Sequence, residues 1–182
     1  MSVVAISRRE RWRAALSVLT NRDFVPLWIS GGLNSLGRAV ITIALMKLIY
    51  DQTGSAGGVG LLVFTNIFSM VVATPVGGVL TDRLDHKKLL VGLGILRAVS
   101  ALLFLWANSP LMIYGVNFLL SVVTNLSFPV WSAVLPDIVK KEQLLDANAL
   151  NMSLGTLAMI LGPVLGGFIV DQISIQAVFI LC

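Results

Sequence analysis

The sequence predicts an all-α membrane protein, a polytopic bundle of five complete transmembrane helices plus the start of a sixth. Three observations carry that reading. Of the 182 residues, 57% are hydrophobic and 12% charged, with a mean hydropathy of +0.91, against about 45–50% apolar and about 25% charged in soluble domains. So little charge cannot cover a water-soluble body of this size, and so much apolar surface excludes a disordered chain. The apolar residues fall into runs near the roughly 20 residues that a helix needs to cross a bilayer. The basic residues alternate sides between those runs.

The first span covers residues 26–50 and leaves through Asp51-Gln52-Thr53-Gly54. The second covers 57–80 and is followed by a polar joint at 82–88. The third, 89–107, ends at Asn108-Ser109-Pro110, and the fourth, 111–135, at a joint over 136–146. The fifth covers 147–170 and is closed by Asp171-Gln172. A sixth apolar run begins near Ile175 and is cut off at Cys182. The joints carry turn-forming residues. The runs are apolar all round rather than along one stripe, as burial in lipid or in a bundle requires.

Arg8, Arg9, Arg11, Arg13 and Arg22 precede the first span; Arg83, Lys87 and Lys88 lie between the second and third; Lys140 and Lys141 lie between the fourth and fifth. The remaining joints hold no Lys or Arg. Ten basic residues against none, on alternating sides, place the N-terminus and these joints in the cytoplasm. Topology thus accounts for the positive charge, and no nucleic-acid partner is expected. Residues 1–20 are Arg-rich but hold no apolar run of signal-peptide length. Trp12, Ala15, Leu16 and Leu19 share a helical face, so the segment is expected to be a cytoplasmic amphipathic helix leading into a membrane domain over 21–182.

The single Cys182 and single His86 exclude disulfide frameworks and His-pair metal motifs. No zinc-protease, nucleophile-elbow or nucleotide-loop pattern is present. The chain is therefore not expected to be an enzyme, and no cofactor or metal is expected. The missing nucleotide loop argues against ATP-driven transport by this chain.

The joint after the second span reads Gly77-Gly78-Val79-Leu80-Thr81-Asp82-Arg83-Leu84-Asp85-His86-Lys87-Lys88. It resembles the G-x-L-x-D-R-x-x-R/K-R/K signature between the second and third helices of the major facilitator superfamily. Pro136-Asp137 through Asn148, and Gly162-Pro163 with Gly166-Gly167, are similar to the macrolide-efflux and siderophore-exporter branch. So are Asn21-Arg22-Asp23-Phe24, Leu27-Trp28 and Thr53-Gly54-Ser55. The resemblance covers nearly the whole chain. It implies the N-terminal half of a twelve-helix transporter that rocks around a central site, truncated in helix six.

By that resemblance Gly78, Asp82, Arg83, Lys87 and Lys88 form a gating motif, in which Asp82 bridges to the opposite half. Gly162, Pro163, Gly166 and Gly167 match a helix-five motif typical of antiporters and exporters. On physical grounds Gly162 and Gly166 give a small-xxx-small face for close packing, and Pro163 frees a carbonyl and bends the helix. Relatives often carry an acid after the Leu36-Gly37 pair; this chain has Arg38. Some carry an acid in helix three where this chain has Gly94 before Arg97.

Arg38 lies about 12 residues past Pro26, or ~18 Å into the membrane, and Arg97 about eight past Leu89, or ~12 Å, at 1.5 Å per residue. A lipid-exposed arginine costs at least about 2.5–3.5 kcal/mol, so both should face the bundle interior or water. None of the nine acids falls mid-span. The partner is then an acid from the missing half, backbone and Asn groups such as Asn34, or an anionic substrate. Asn34, Arg38, Arg97 and Asn125 are the candidate substrate path. Asn34, Asn66, Asn117, Asn125 and Asn151 either tie helices together or line a cavity. Lys47 is expected to pair with Asp51, Trp131 and Met159 to serve packing, and His86 to be a solvated loop residue.

Two functions fit. One is secondary active transport: an efflux permease for drugs or other small organic molecules, driven by an ion gradient and multi-pass in the plasma membrane. Its partners would be the lipid bilayer, the small-molecule substrate and the missing C-terminal half. The other is a non-transporting truncated protein, or a half-transporter that assembles with a second chain.

Overall fold

The computed structural model describes residues 17–172 and Val178. The expected amphipathic segment up to residue 16 and, apart from Val178, the expected start of a sixth helix lie outside the described residues. The described chain forms five long helices: α1 Phe24–Thr53, α2 Ala56–Arg83, α3 His86–Leu103, α4 Pro110–Ile138 and α5 Leu144–Gln172. A 3-10 turn, Phe104–Trp106, extends α3, and another, Lys141–Gln143, leads into α5. Four of the five expected spans each lie within one of these helical segments, the third outruns its segment by Ala107 alone, and all five segments are long and apolar enough to cross a membrane.

The helices outrun the apolar runs that mark them. Backbone hydrogen bonding has no reason to stop where the hydrocarbon ends, so α1 continues to Thr53, α2 to Arg83 and α4 to Ile138. Three joint assignments change in consequence. Gly78, Asp82 and Arg83 belong to α2, Lys87 and Lys88 to the first turn of α3, and Pro136 to the last turn of α4. Only Leu84 and Asp85 separate α2 from α3.

Short polar side chains terminate the helices. Asn21 opens α1, its Oδ1 accepting from the backbone N–H groups of Asp23 and Phe24 at 2.9 and 3.2 Å. Gly54 ends it in the left-handed region (φ 61°) and donates its N–H to the Tyr50 carbonyl, a conformation that suits a residue without Cβ. Ser55, Asp85 and Ser109 cap α2, α3 and α4 by accepting from Gly57, Lys88 and Met112. The Lys88 backbone N–H holds the Asp85 carboxyl below its ordinary range.

Packing divides the bundle into two groups that meet along α1. α1 lies against α5, while α4 lies between α2 and α3, and α1 also touches α2 and α4. Ile49, Leu62 and Ile113 are fully buried toward one end, and Phe24, Leu135 and Ala147 toward the other. The outer faces stay apolar, with Leu111 81% and Phe128 73% exposed, as suits surfaces meeting lipid or further helices.

The basic joints gather at one end. Asn21 Nδ2 donates to the Ile138 carbonyl at 2.8 Å, Gln143 Nε2 donates to Ser17 Oγ at 3.0 Å, and His86 Nδ1 lies 4.0 Å from Asp137 Oδ2. Arg22, Arg83, Lys87, Lys88, Lys140 and Lys141 therefore crowd around that end. His86 is not a free loop residue: it begins α3, and its Nε2 lies 3.2 Å from the Thr81 carbonyl. Lys47 and Asp51 form the expected i,i+4 ion pair, at 2.9 Å.

Candidate functional site

A cavity of about 550 Å³ opens between α1, α3 and α4, with Asn66 from α2 and Leu165 and Ile169 from α5 completing its wall. α1 contributes Asn34, Gly37, Arg38 and Thr42 because these positions recur on one helical face; α3 contributes Gly94, Arg97 and Ala98 in the same way. α4 supplies Asn117, Ser121 and Thr124, and α2 supplies Asn66. The small residues Gly37, Gly94 and Ala98 leave the space that the arginines enter. Exposed Leu33 and Arg38 mark the open side.

The cavity holds two cations and no acid among its described lining residues. Arg97 donates from Nη2 to Ser127 Oγ at 2.7 Å, while its Nε is buried without a partner. The Arg38 guanidinium has no hydrogen-bond or ion-pair partner among the described residues, so Asn34 one turn away does not satisfy it. Two like charges thus line one cavity from different helices. What the arrangement can do chemically is hold negative charge beside neutral amide and hydroxyl groups.

Asn125 is absent from this wall. Its Nδ2 donates to Ser69 Oγ at 2.9 Å, fastening α4 to α2. It belongs to a ladder that sequence reasoning did not assemble. Tyr114 Oη donates to the Gly58 carbonyl at 3.0 Å; Asn117 Nδ2 donates to Thr65 Oγ1 at 2.8 Å and to Asn66 Oδ1 at 3.2 Å; Ser121 Oγ donates to Asn66 Oδ1. Asn66 and Asn117 thus serve both roles, tying helices and facing the cavity. The signal was present in α4, where Tyr114, Asn117, Ser121 and Asn125 recur every three or four residues.

The helix-five motif splits between two faces. A Cβ on Gly162 would overlap the Ala39 methyl group, and one on Gly166 would come within 3.2 Å of Val40 and Ile43. These two glycines therefore let α5 lie directly on α1, beside the cavity wall. Gly167 faces open space and Pro163 is exposed on the opposite side. Trp131 packs beside the Phe24–Leu135 cluster, whereas Met159 is 77% exposed and has no packing role among the described residues.

The residues of the expected gating motif lie at the basic end. Asp82, Arg83, Lys87 and Lys88 are all exposed, and the Asp82 carboxylate makes no hydrogen bond or ion pair among the described residues. An acid in the last turn of a helix sits against the negative end of the helix dipole. Gly78 has no neighbour within 4 Å of a built Cβ, so its side of α2 is open as well.

Comparison with known proteins agrees with these features. The family profile described as Major Facilitator Superfamily matches residues 27–182. An uncharacterized MFS-type transporter of Bacillus subtilis is 26% identical over 175 residues, 91% of this chain and 40% of the relative. Macrolide efflux protein A of Streptococcus pyogenes is 25% identical over 160 residues, 85% of the chain and 40% of the relative. The enterobactin exporter of Salmonella typhimurium is 29% identical over 169 residues, with 88% and 40% covered. The chain therefore spans about 40% of the length of these relatives. No solved structure matches it significantly.

Proposed function

The chain belongs to the Major Facilitator Superfamily, and from that premise we propose that it forms the N-terminal half of an efflux permease for small organic molecules. It is a multi-pass membrane protein of a transporter family, not an enzyme. The observation that supports the transport reading best is a cavity that gathers Arg38, Arg97 and several Asn, Ser and Thr side chains within an otherwise apolar bundle, open on the side of Arg38. A substrate moving across the bilayer needs such a polar chamber, and alternating access requires a second body to close it. Six further helices, on the same or another chain, would cover the open side. The efflux direction rests on the names of two relatives, a macrolide efflux protein and an enterobactin exporter.

In this reading an ion gradient drives export, and the basic end lies in the cytoplasm by the positive-inside rule. Asp82 bridges to the second half and holds one access state. The close α1–α5 contact at Gly162 and Gly166 lets the two helices move as a unit while the cavity alternates. The full-length transporter in proteoliposomes, with an imposed proton gradient and a fluorescent-dye panel, tests this. Gradient-dependent movement toward the side opposite the basic end is expected. Movement of no dye, or movement indifferent to every imposed ion gradient, would sink the reading.

A further inference from the structure

We propose that the cavity is an anion site, and that Arg38 and Arg97 together select small organic substrates carrying a carboxylate, phosphate or comparable negative group. This rests on the transporter reading above and narrows its substrate class.

The argument begins with charge. Two cations from different helices enter one chamber, and its described wall offers them only amides, hydroxyls and apolar groups. Arg97 is anchored by a single hydrogen bond to Ser127, which leaves most of its donors unused. Arg38 is unanchored among the described residues. An arginine held inside a membrane without a counter-charge is expensive, and two facing one another add repulsion. A ligand bringing an anionic group between them removes both penalties, and the forked guanidinium geometry suits carboxylate and phosphate oxygens. A cationic ligand would meet two like charges and no acid. Asn66 cannot serve as the counter-charge: its Oδ1 is already occupied by Ser121 and Asn117.

The anion could come from a soluble substrate or from a lipid headgroup. An acid on the second half of the transporter is the competing explanation. Carboxyfluorescein and rhodamine 6G share a tricyclic scaffold and differ in charge, so they separate these cases. Binding to the purified full-length transporter would be measured by equilibrium dialysis, in nanodiscs of phosphatidylcholine alone and with added phosphatidylglycerol. Carboxyfluorescein is expected to bind at least tenfold more tightly than rhodamine 6G. Arg38→Gln and Arg97→Gln should each lose about tenfold for carboxyfluorescein, with Arg38→Lys retaining part of the affinity. Rhodamine binding should hold or rise in the Gln variants.

Equal binding of the two dyes by the wild type, no binding of carboxyfluorescein, or unchanged affinity in both Gln variants would overturn the proposal. Phosphatidylglycerol competing stoichiometrically and abolishing dye binding would assign the site to lipid, and would overturn the substrate assignment. An acid on the second half would show as loss of folded protein in Arg38→Gln with no charge preference in the wild type. Because dialysis requires no transport, a protein that binds the anion but moves no dye would defeat the permease reading and leave the anion site standing.

Discussion

Gly162 of α5 lies so close to Ala39 of α1 that a methyl group on the glycine would overlap the methyl of the alanine. Two effects then compete in Gly162→Ala. Helix propensity favours alanine by about 1 kcal/mol. Overpacking costs about 1–3 kcal/mol, and Ala39 Cα and C, at 3.4 and 3.5 Å, are backbone atoms that cannot rotate aside. The clash should win. Unfolding of the full-length protein in detergent is expected to begin at a lower temperature for Gly162→Ala, and Ala39→Gly in the same chain should recover part of the loss. Gly167→Ala, with nothing within 4 Å, should be neutral or stabilising. Equal behaviour at the two glycines would contradict this packing.

The α2–α4 ladder makes a second prediction. Interhelical hydrogen bonds in membranes average about 0.6 kcal/mol and reach about 1.7. Asn125→Ala and Ser69→Ala should each cost an amount in that range, and a double-mutant cycle should return a coupling of similar size, because the cycle cancels the bond that Ser69 Oγ also donates to the Asn66 carbonyl of its own helix. Asn117→Ala should cost more, since it removes two interhelical bonds, to Thr65 Oγ1 and to Asn66 Oδ1. Steric trapping or SDS unfolding would measure these differences; additive losses at 69 and 125 would mean that the bond contributes nothing.

Asp85 supplies a pH dependence with a definite sign. Its folded carboxyl titrates below the ordinary aspartate range, chiefly because it accepts from the Lys88 N–H. A group whose folded value is depressed stabilises above its unfolded value and loses that contribution as pH falls through the folded one. Wild type and Asp85→Ala should therefore differ in unfolding temperature at pH 7 and converge as pH falls below the ordinary aspartate range through the depressed folded value. Asp85→Asn should stay near the wild type at pH 7, because asparagine caps as well as aspartate. It should carry less of the acid-induced loss. A gap between wild type and Asp85→Ala that stayed constant from pH 7 to pH 3 would exclude the cap as its source.

How far such features could be read beforehand depended on whether their partners were close in sequence. Lys47 with Asp51, and Gly162 with Gly166, are each four apart on one helix, so the periodicity alone made them neighbours. The five spans were equally legible, because the length of an apolar run is local. Asn34 and Asn125 looked alike, yet one faces the cavity and the other bonds to Ser69. Nothing within either helix distinguishes them; the difference lies in α2 settling along α4. The end of α2 was misplaced for another reason. Hydropathy stops at Leu80 but the hydrogen-bond ladder continues to Arg83, and those extra residues make Asp82 a helical residue on an exposed turn.

That placement of Asp82 separates stability from transport. The acid opposes the helix dipole and touches no cation among the described residues, so within this half it is unfavourable, by about 0.3–1 kcal/mol at an exposed position. If its partner belongs to the second half, Asp82→Asn should remove a bridge that exists in only one access state. The variant is then expected to unfold at the same temperature as the wild type or slightly higher, while export slows several-fold. Crosslinks between the end of α2 and the second half should also form less often. A purely structural acid would behave oppositely, with unfolding temperature and export falling together. Measuring both on the same full-length preparation distinguishes the two, and Asp85→Asn, three residues away at a position engaged in capping α3, serves as the control in which export should not change.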